Sequence, residues 1–349
     1  MCTLRKKHLL QTCLIVERLA IIQQKASERE TKRNQYLDEF EDAARLVESA
    51  CLGFLTEQIE TLADDFSGLE DVHTPIDSIY DQKRWDRGLV DVLFPVFAKI
   101  VGKSAFSELD RLGVDLAVMK KAITPSDWLD DLGDSDLGET TLTVGASEIA
   151  MGFLREYPLW MQEAIRKFLE ETFSQEYWTD INKTTLDGIR RVIEEGIISG
   201  NSIEQISSEL RSLLEGSAAY VKSRSKLIAR TETGHALNAA RSMSMDAVIA
   251  EAGPEALLKK QWLSVLGPTT RDTHANADGV PENEEGMWYI GGYWCRWPGD
   301  YRLPARERCN CQCTLVMAFG LTDQEARDLI ESYSERIGKK KSLSEVSLS

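Results

Sequence analysis

The chain has 349 residues, 42% of them hydrophobic and 28% charged, which is enough apolar material for two or three compact units with real cores. A formal net charge of −16 excludes a general nucleic-acid coat, because binding driven by phosphate neutralisation needs clustered Lys and Arg. The seven cysteines are odd in number and crowded toward one end, so they do not make a secreted disulfide framework and point to a reducing compartment.

The first 22 residues carry Arg5-Lys6-Lys7 ahead of Leu9-Leu10 and Leu14-Ile15-Val16, a faint outline of a signal peptide. Gln11, Thr12, Glu17 and Arg18 interrupt that apolar run, which is too short and polar to span a bilayer, and no membrane partner is expected. An amphipathic helix with Leu10, Leu14 and Ile21 on one side is the better reading. Eight Lys or Arg against three Glu up to Gln35 leave a local positive excess, which is either a solvated helix face or a local DNA contact.

From 35 to 65 the helical signal is strong. Leu37, Ala44, Cys51 and Gln58 interleave with Phe40, Val47 and Phe54 at a seven-residue period, with acidic residues between them. Such a stripe must be covered, by the stretch before it, by a later helix or by a neighbouring subunit. Ser67-Gly68 ends the element and Thr74-Pro75 marks a loop, so residues 1–75 form an N-terminal helical, coiled-coil-like segment.

A second helical region spans 85–180. Its first helix is expected over 85–121, with Pro95 kinking or restarting it and Gly102 breaking it. Residues 123–143 follow, with Asp127, Asp130, Asp131, Asp134, Asp136 and Glu139 among glycines; the ligand order of a calcium loop is not met, and an exposed acidic loop is expected. Helix resumes over 146–178, past Pro158. A further helix over 184–198 ends at Ser199-Gly200-Asn201, and Ser202-Ile203-Glu204-Gln205 has the form of a capping box. The pair mimics a DNA-reading helix-turn-helix, but Glu204 and Glu209 against Arg211 give its second helix the wrong charge balance. Residues 218–249 form a long helix in which Arg230 and Glu232, two apart, do not face each other; His235 is a packed or solvated residue that could approach His274 in space. At the far end, 317–349 comprises a last amphipathic helix over 322–337 and a mobile basic and Ser-rich tail.

The unusual chemistry lies between 262 and 315, with four of the seven cysteines and four of the eight tryptophans. If the chain is extended through Cys311-Gln312-Cys313, both thiols face one way, and His274 could add a third ligand for zinc, which accepts mixed Cys and His donors. Cys309 would share that face but lie roughly 13 Å from Cys313 on a straight strand, so it and Cys295 are weaker candidates for a fourth position. Reduced, buried thiols packed among tryptophans are the competing reading, and a disulfide is the third; a Cys311–Cys313 bridge is disfavoured because one intervening residue in a strand leaves the sulfur torsion hard to close.

The ordered series Trp262, Arg271 with His274, Asp278-Gly279, Pro298-Gly299-Asp300, Pro304 and Asn310-Cys311-Gln312-Cys313-Thr314-Leu315 resembles the phage Mu F-like family of minor head proteins. Arg230-Thr231-Glu232 resembles the helical entry to that pattern, and the likeness covers 184–316. Gln312 stands where a basic residue is common and Cys309 where an apolar one is usual, so the likeness carries His274, Cys311 and Cys313 but not Cys309. It implies a minor capsid protein of the virion, present in the host cytoplasm during assembly. It implies association with the portal protein and with other head proteins, scaffold or major capsid, in head morphogenesis or DNA delivery.

The fold expected is mainly α with a small C-terminal α+β domain: long N-terminal amphipathic helices, then a Cys/Trp-rich module of loops and short strands near 262–316. Enzymatic activity is left open. No P-loop, dinucleotide glycine fingerprint, H-E-x-x-H or G-x-S-x-G is present. A closed zinc site would brace the small domain; an open one, with Asp278 or Glu307 as base, would make a zinc-dependent hydrolase or nuclease packaged with the head.

Overall fold

A computed structural model describes residues 2–114, 144–155, 157–174, 177–215, 220–252 and 258–318, with side chains from Glu28 onward. The acidic loop expected at 123–143, the last helix at 322–337 and the apolar stripe of the first 22 residues lie outside what it describes. Helix α1 (Cys2–Ser67) runs 66 residues. Its seven-residue stripe is buried from Phe40 onward, with Phe40, Ala44, Val47, Cys51, Phe54 and Gln58 at most 4% exposed, while Leu37 at its start is half-buried. The cover comes from this chain itself, chiefly from α2 (Gln82–Arg111), α6 (Ile203–Ser212) and α7 (Tyr220–Ala252). Gln58, the one polar member, donates to the Tyr80 hydroxyl at 3.3 Å, so its burial does not strand its amide nitrogen.

Asp81 caps α2 by accepting from the Arg84 amide, and the helix then runs unbroken through Pro95 and Gly102, where a kink and a break were expected. The glycine is there for contact. A Cβ at Gly102 would lie 2.6 Å from Cε2 of Tyr157, at the corner between α3 (Val144–Leu154) and α4 (Leu159–Phe173). The helix also stops short of 121, ending at Arg111 with Gly113 in the left-handed region at φ +73°.

The helix expected to continue past Pro158 is instead divided there, Pro158 standing at the N-cap of α4. A second break falls earlier than the pattern suggested, between Phe173 and Tyr177, so residue 184 lies inside α5 (Tyr177–Ile198). Trp178 accounts for it: its indole folds back over the break, stacked on Phe173 at 4.8 Å, and donates to the Thr172 carbonyl. The turn into α6 is held by the expected capping box, Ser202 and Gln205 each bonding the other's backbone.

Helix α7 is the spine, touching α1, α2, α4 and the C-terminal strands. Every residue from 231 to 242 is buried, so this stretch is enclosed on all sides. Against it sits the C-terminal module. Strand β1 (Lys259–Leu263) pairs antiparallel with β4 (Thr314–Ala318), setting Trp262 opposite Leu315, and β2 (Trp288–Ile290) forms a hairpin with β3 (Tyr293–Cys295). The hairpin turns on Gly291 and Gly292, both at positive φ, the requirement of a two-residue turn that matches strand twist. Two four-residue helices, α8 (Asp272–Ala275) and α9 (Ala305–Arg308), lie in the connections. The protein is thus mainly α with a small α+β module at its C-terminal side, and one hydrophobic core runs from Tyr36 of α1 to Met317 of β4. Among the described residues no helix is long and apolar enough to cross a membrane.

Candidate metal centre

The module is seated on α7 by side chains that look out of place in a helix. At Gly234 a Cβ would stand 2.8 Å from the Cys311 carbonyl oxygen, so only glycine lets the cysteine loop lie this close. One turn on, the Asn238 amide donates to the carbonyls of Pro298 (3.0 Å) and Cys313 (2.9 Å), tying two loops to the helix at one point. Thr231 Oγ1 accepts from the Asn310 amide, and Arg230 donates to the Asn310 side chain at 2.7 Å. Asn310 is at φ +56°, a conformation that Asn tolerates better than most residues, and it turns the chain between α9 and the two thiols. From the other side Arg271 donates to the carbonyls of Arg306 and Cys309.

Asn238→Ala should therefore destabilise the protein by roughly 2–4 kcal/mol, since two buried carbonyls lose their donor. Urea unfolding would read this; a loss within about 0.5 kcal/mol of zero would show that the amide is not the anchor.

Three side chains that the sequence singles out meet in the loop so held. His274 Nδ1 is 3.4 Å from Cys311 Sγ and 3.5 Å from Cys313 Sγ, and the three ligand atoms all lie within 4.8 Å of one another. Exposure is 1% for His274 and 3% for each cysteine. Zinc bonds of about 2.3 Å to sulfur and about 2.0–2.1 Å to nitrogen give a tetrahedral S···N edge of roughly 3.5 Å, so the donor spacing fits a metal without rearrangement. The two thiols are unequal. Cys313 is held well below the ordinary thiol range, first by the hydrogen bond from Cys311 and further by His274, whereas donating that bond and being buried push Cys311 up. A sulfur kept as thiolate is the form that binds metal. The cluster could hold a metal ion.

The weaker candidates are placed elsewhere. Cys295 is buried in the hairpin with its thiol directed at the Trp288 carbonyl at 3.6 Å, and burial pushes it well above the usual range. Cys309 is half-buried and contributes its carbonyl to Arg271; among the described residues neither it nor any other His, Cys, Asp or Glu joins the three within the same span. The 311–313 segment precedes β4 rather than extending it, and the chain turns at Asn310, yet both thiols still face His274.

The remaining motif residues build the frame. The Trp262 ring meets His274 edge-on at 5.4 Å, and the Gly279 amide, at φ +79°, donates to the Trp262 carbonyl. Asp278 accepts from the Ser264 amide and from Arg29 and Arg33 of α1, a link across more than 240 residues that no spacing announces. Asp300 is fully buried and accepts from the amides of Arg296 and Arg302, closing the Pro298-Gly299 turn, where a Gly299 Cβ would approach the His235 amide to 3.1 Å. His235 meets that turn and not His274: Trp297 Nε1 donates to its Nδ1, and its Nε2 faces Thr172 Oγ1 at 3.2 Å.

Residues 187–316, the segment that supplies this frame, match the family described as Phage Mu protein F like protein. The chain is also similar to "Uncharacterized protein YqbB" of Bacillus subtilis (strain 168), 29% identical over 154 residues, which are 42% of this chain and 47% of that protein. The chain thus spans about half the length of the curated relative it matches. No solved structure matches it. The His274, Cys311 and Cys313 cluster and the α7 seat beneath it fall inside the matched segment, so the likeness to the Phage Mu protein F like family covers the candidate site.

Proposed function

We propose that this chain is a minor head protein of a tailed phage, associated with the portal vertex and acting in head morphogenesis or DNA delivery. The match of residues 187–316 to the Phage Mu protein F like family carries this reading. In it the protein is a virion component that is present in the host cytoplasm during assembly. Its partners are the portal protein and either the scaffold or the major capsid protein. The net charge of −16 favours packing against proteins over coating DNA, and leaves DNA to local basic segments.

The metal in this reading is zinc, and its role is structural. Three nearly solvent-free donors suit that ion, and although no fourth protein donor joins them among the described residues, the brace is favoured because the two carboxylates available as a base for hydrolysis are already engaged. Asp278 is bound by Arg29 and Arg33, and Glu307 lies against His274 and Thr273. His274 stands on α8 and the two cysteines in the segment before β4, so an ion held by all three would tie those stretches together.

Mass spectrometry of purified, nuclease-treated particles from the phage that encodes this chain tests the assignment. A low, reproducible copy number against the major capsid protein is expected. Absence from both particles and procapsids would remove the head role.

A further inference from the structure

The imidazole of His274 is used on both sides. Its Nδ1 faces the two thiols, while its Nε2, buried and without another acceptor, lies 3.3 Å from Glu307 Oε2. That contact is not a formed hydrogen bond, and it is longer than the roughly 2.7–2.9 Å of a charge-assisted bond. The carboxylate itself is firmly placed. Glu307 is 6% exposed, Oε2 accepts from Thr273 Oγ1 at 2.8 Å, and the β2–β3 turn packs on the other oxygen: a Cβ at Gly291 would stand 2.4 Å from Oε1. Glycine at 291 thus serves the turn and makes room for the carboxylate.

We propose that Glu307 is the positioning carboxylate of the metal centre, fixing His274 as an Nδ1 ligand by taking the Nε2 proton in a hydrogen bond. This rests on the zinc reading given above. A metal at Nδ1 forces the imidazole proton onto Nε2 and makes that nitrogen a stronger donor, so the 3.3 Å contact closes on loading. The carboxylate in turn raises the basicity of the bound nitrogen. Thr273, the neighbour of the ligand in α8, donates to the same Glu307 oxygen that faces His274, so ligand and orienter come from one turn of chain.

The test uses the full chain with zinc or cadmium alone as probe. Wild type is expected to hold one zinc by elemental analysis, and Glu307→Gln to bind it about 10–100-fold more weakly in chelator competition. In protein loaded with cadmium-113 and nitrogen-15 histidine, His274 should show metal coupling at Nδ1 and a downfield Nε2 proton that moves upfield in Glu307→Gln. Glu307→Asp should restore part of the affinity. Should Glu307→Gln fail to fold, Thr273→Val, which frees the carboxylate without removing it, is read instead and should weaken zinc in the same direction. Unchanged affinity and an unchanged Nε2 proton would overturn the role of Glu307 while leaving the zinc site standing. A wild-type protein that holds no zinc would overturn the zinc reading, and this role with it.

Discussion

Cys313→Ser should abolish zinc retention and lower the melting temperature by roughly 10 °C at free zinc far above the dissociation constant, where a ligand held at a thousandfold excess contributes about 4 kcal/mol. The reason lies in how little else secures the module. Between β1 and β4 the chain makes one short hairpin and two four-residue helices, and among the described residues no second layer of sheet covers them. The long loop is closed by the strand pair itself, by the Asn238 and Arg271 hydrogen bonds, by the ties of Asp278, Trp297 and Asn310 to the helices, and by the cluster. In the unfolded chain His274 is 37 or more residues from the two thiols, so metal bound to all three would be free energy of folding. Serine keeps nearly the volume but is a poor zinc ligand, and it leaves a hydroxyl where a thiolate stood. Melting wild type and variant with zinc and with a strong chelator separates the effects. Wild type should fall to the level of the variant on chelation, and the variant should not respond. A wild-type melt insensitive to chelation would sink the brace.

Residue chemistry singled out the three donors in the sequence as one reading beside packed thiols and a disulfide, and the fold brings their ligand atoms within 4.8 Å of one another. The stripe of α1 was legible for a similar reason, since Phe40, Val47 and Phe54 recur at a spacing that only a helix places on one face. Punctuation misled. Pro95 and Gly102 read as a kink and a break, whereas both lie inside one helix, and at Gly102 the missing Cβ makes room for Tyr157. A glycine that makes room for Tyr157 and a glycine that ends a helix look alike until the partner is known.

The seat on α7 was out of reach by any local rule. Gly234 and Asn238 are poor helix formers, and in isolation they only weaken the prediction of a long helix. Their purpose appears when Cys311, Cys313 and Pro298 arrive from far along the chain. The same holds for Arg29 and Arg33, two charges on an apparently solvated face that reach Asp278 across the fold. Local propensity and tertiary need conflict at these positions, and such conflicts cluster where the module meets the spine. A helix with unexplained Gly and Asn one turn apart is therefore a usable signal for a docking seat.

Acidification from pH 6.5 should destabilise the protein steeply, through His235. Burial first, and then the nearby Arg308 and Arg296 charges, press its pKa down from 6.5 to about 3. Its partners demand the neutral ring: Trp297 Nε1–H donates to Nδ1, which must be an unprotonated acceptor, and the proton on Nε2 faces Thr172 Oγ1. The unfolded chain takes up a proton below pH 6.5 and the folded one does not, so the stability is fully present above 6.5 and is lost as pH falls toward 3. Each unit in that window removes about 1.4 kcal/mol, or roughly 3 kcal/mol by pH 4.5. Glu39 and Glu171, both with lowered pKa beside Arg241 and Arg296, add to the loss only in the carboxylate range below. Metal release also takes up protons, so the comparison must be differential. Urea unfolding of wild type and His235→Gln at pH 7, 6, 5 and 4.5 supplies it, because both carry the same metal cluster. The variant should start less stable at pH 7 and fall more slowly, with the two curves converging by roughly 2–3 kcal/mol at pH 4.5. Parallel curves would mean that His235 accepts its proton without cost, and that the Trp297 hydrogen bond does not hold it neutral.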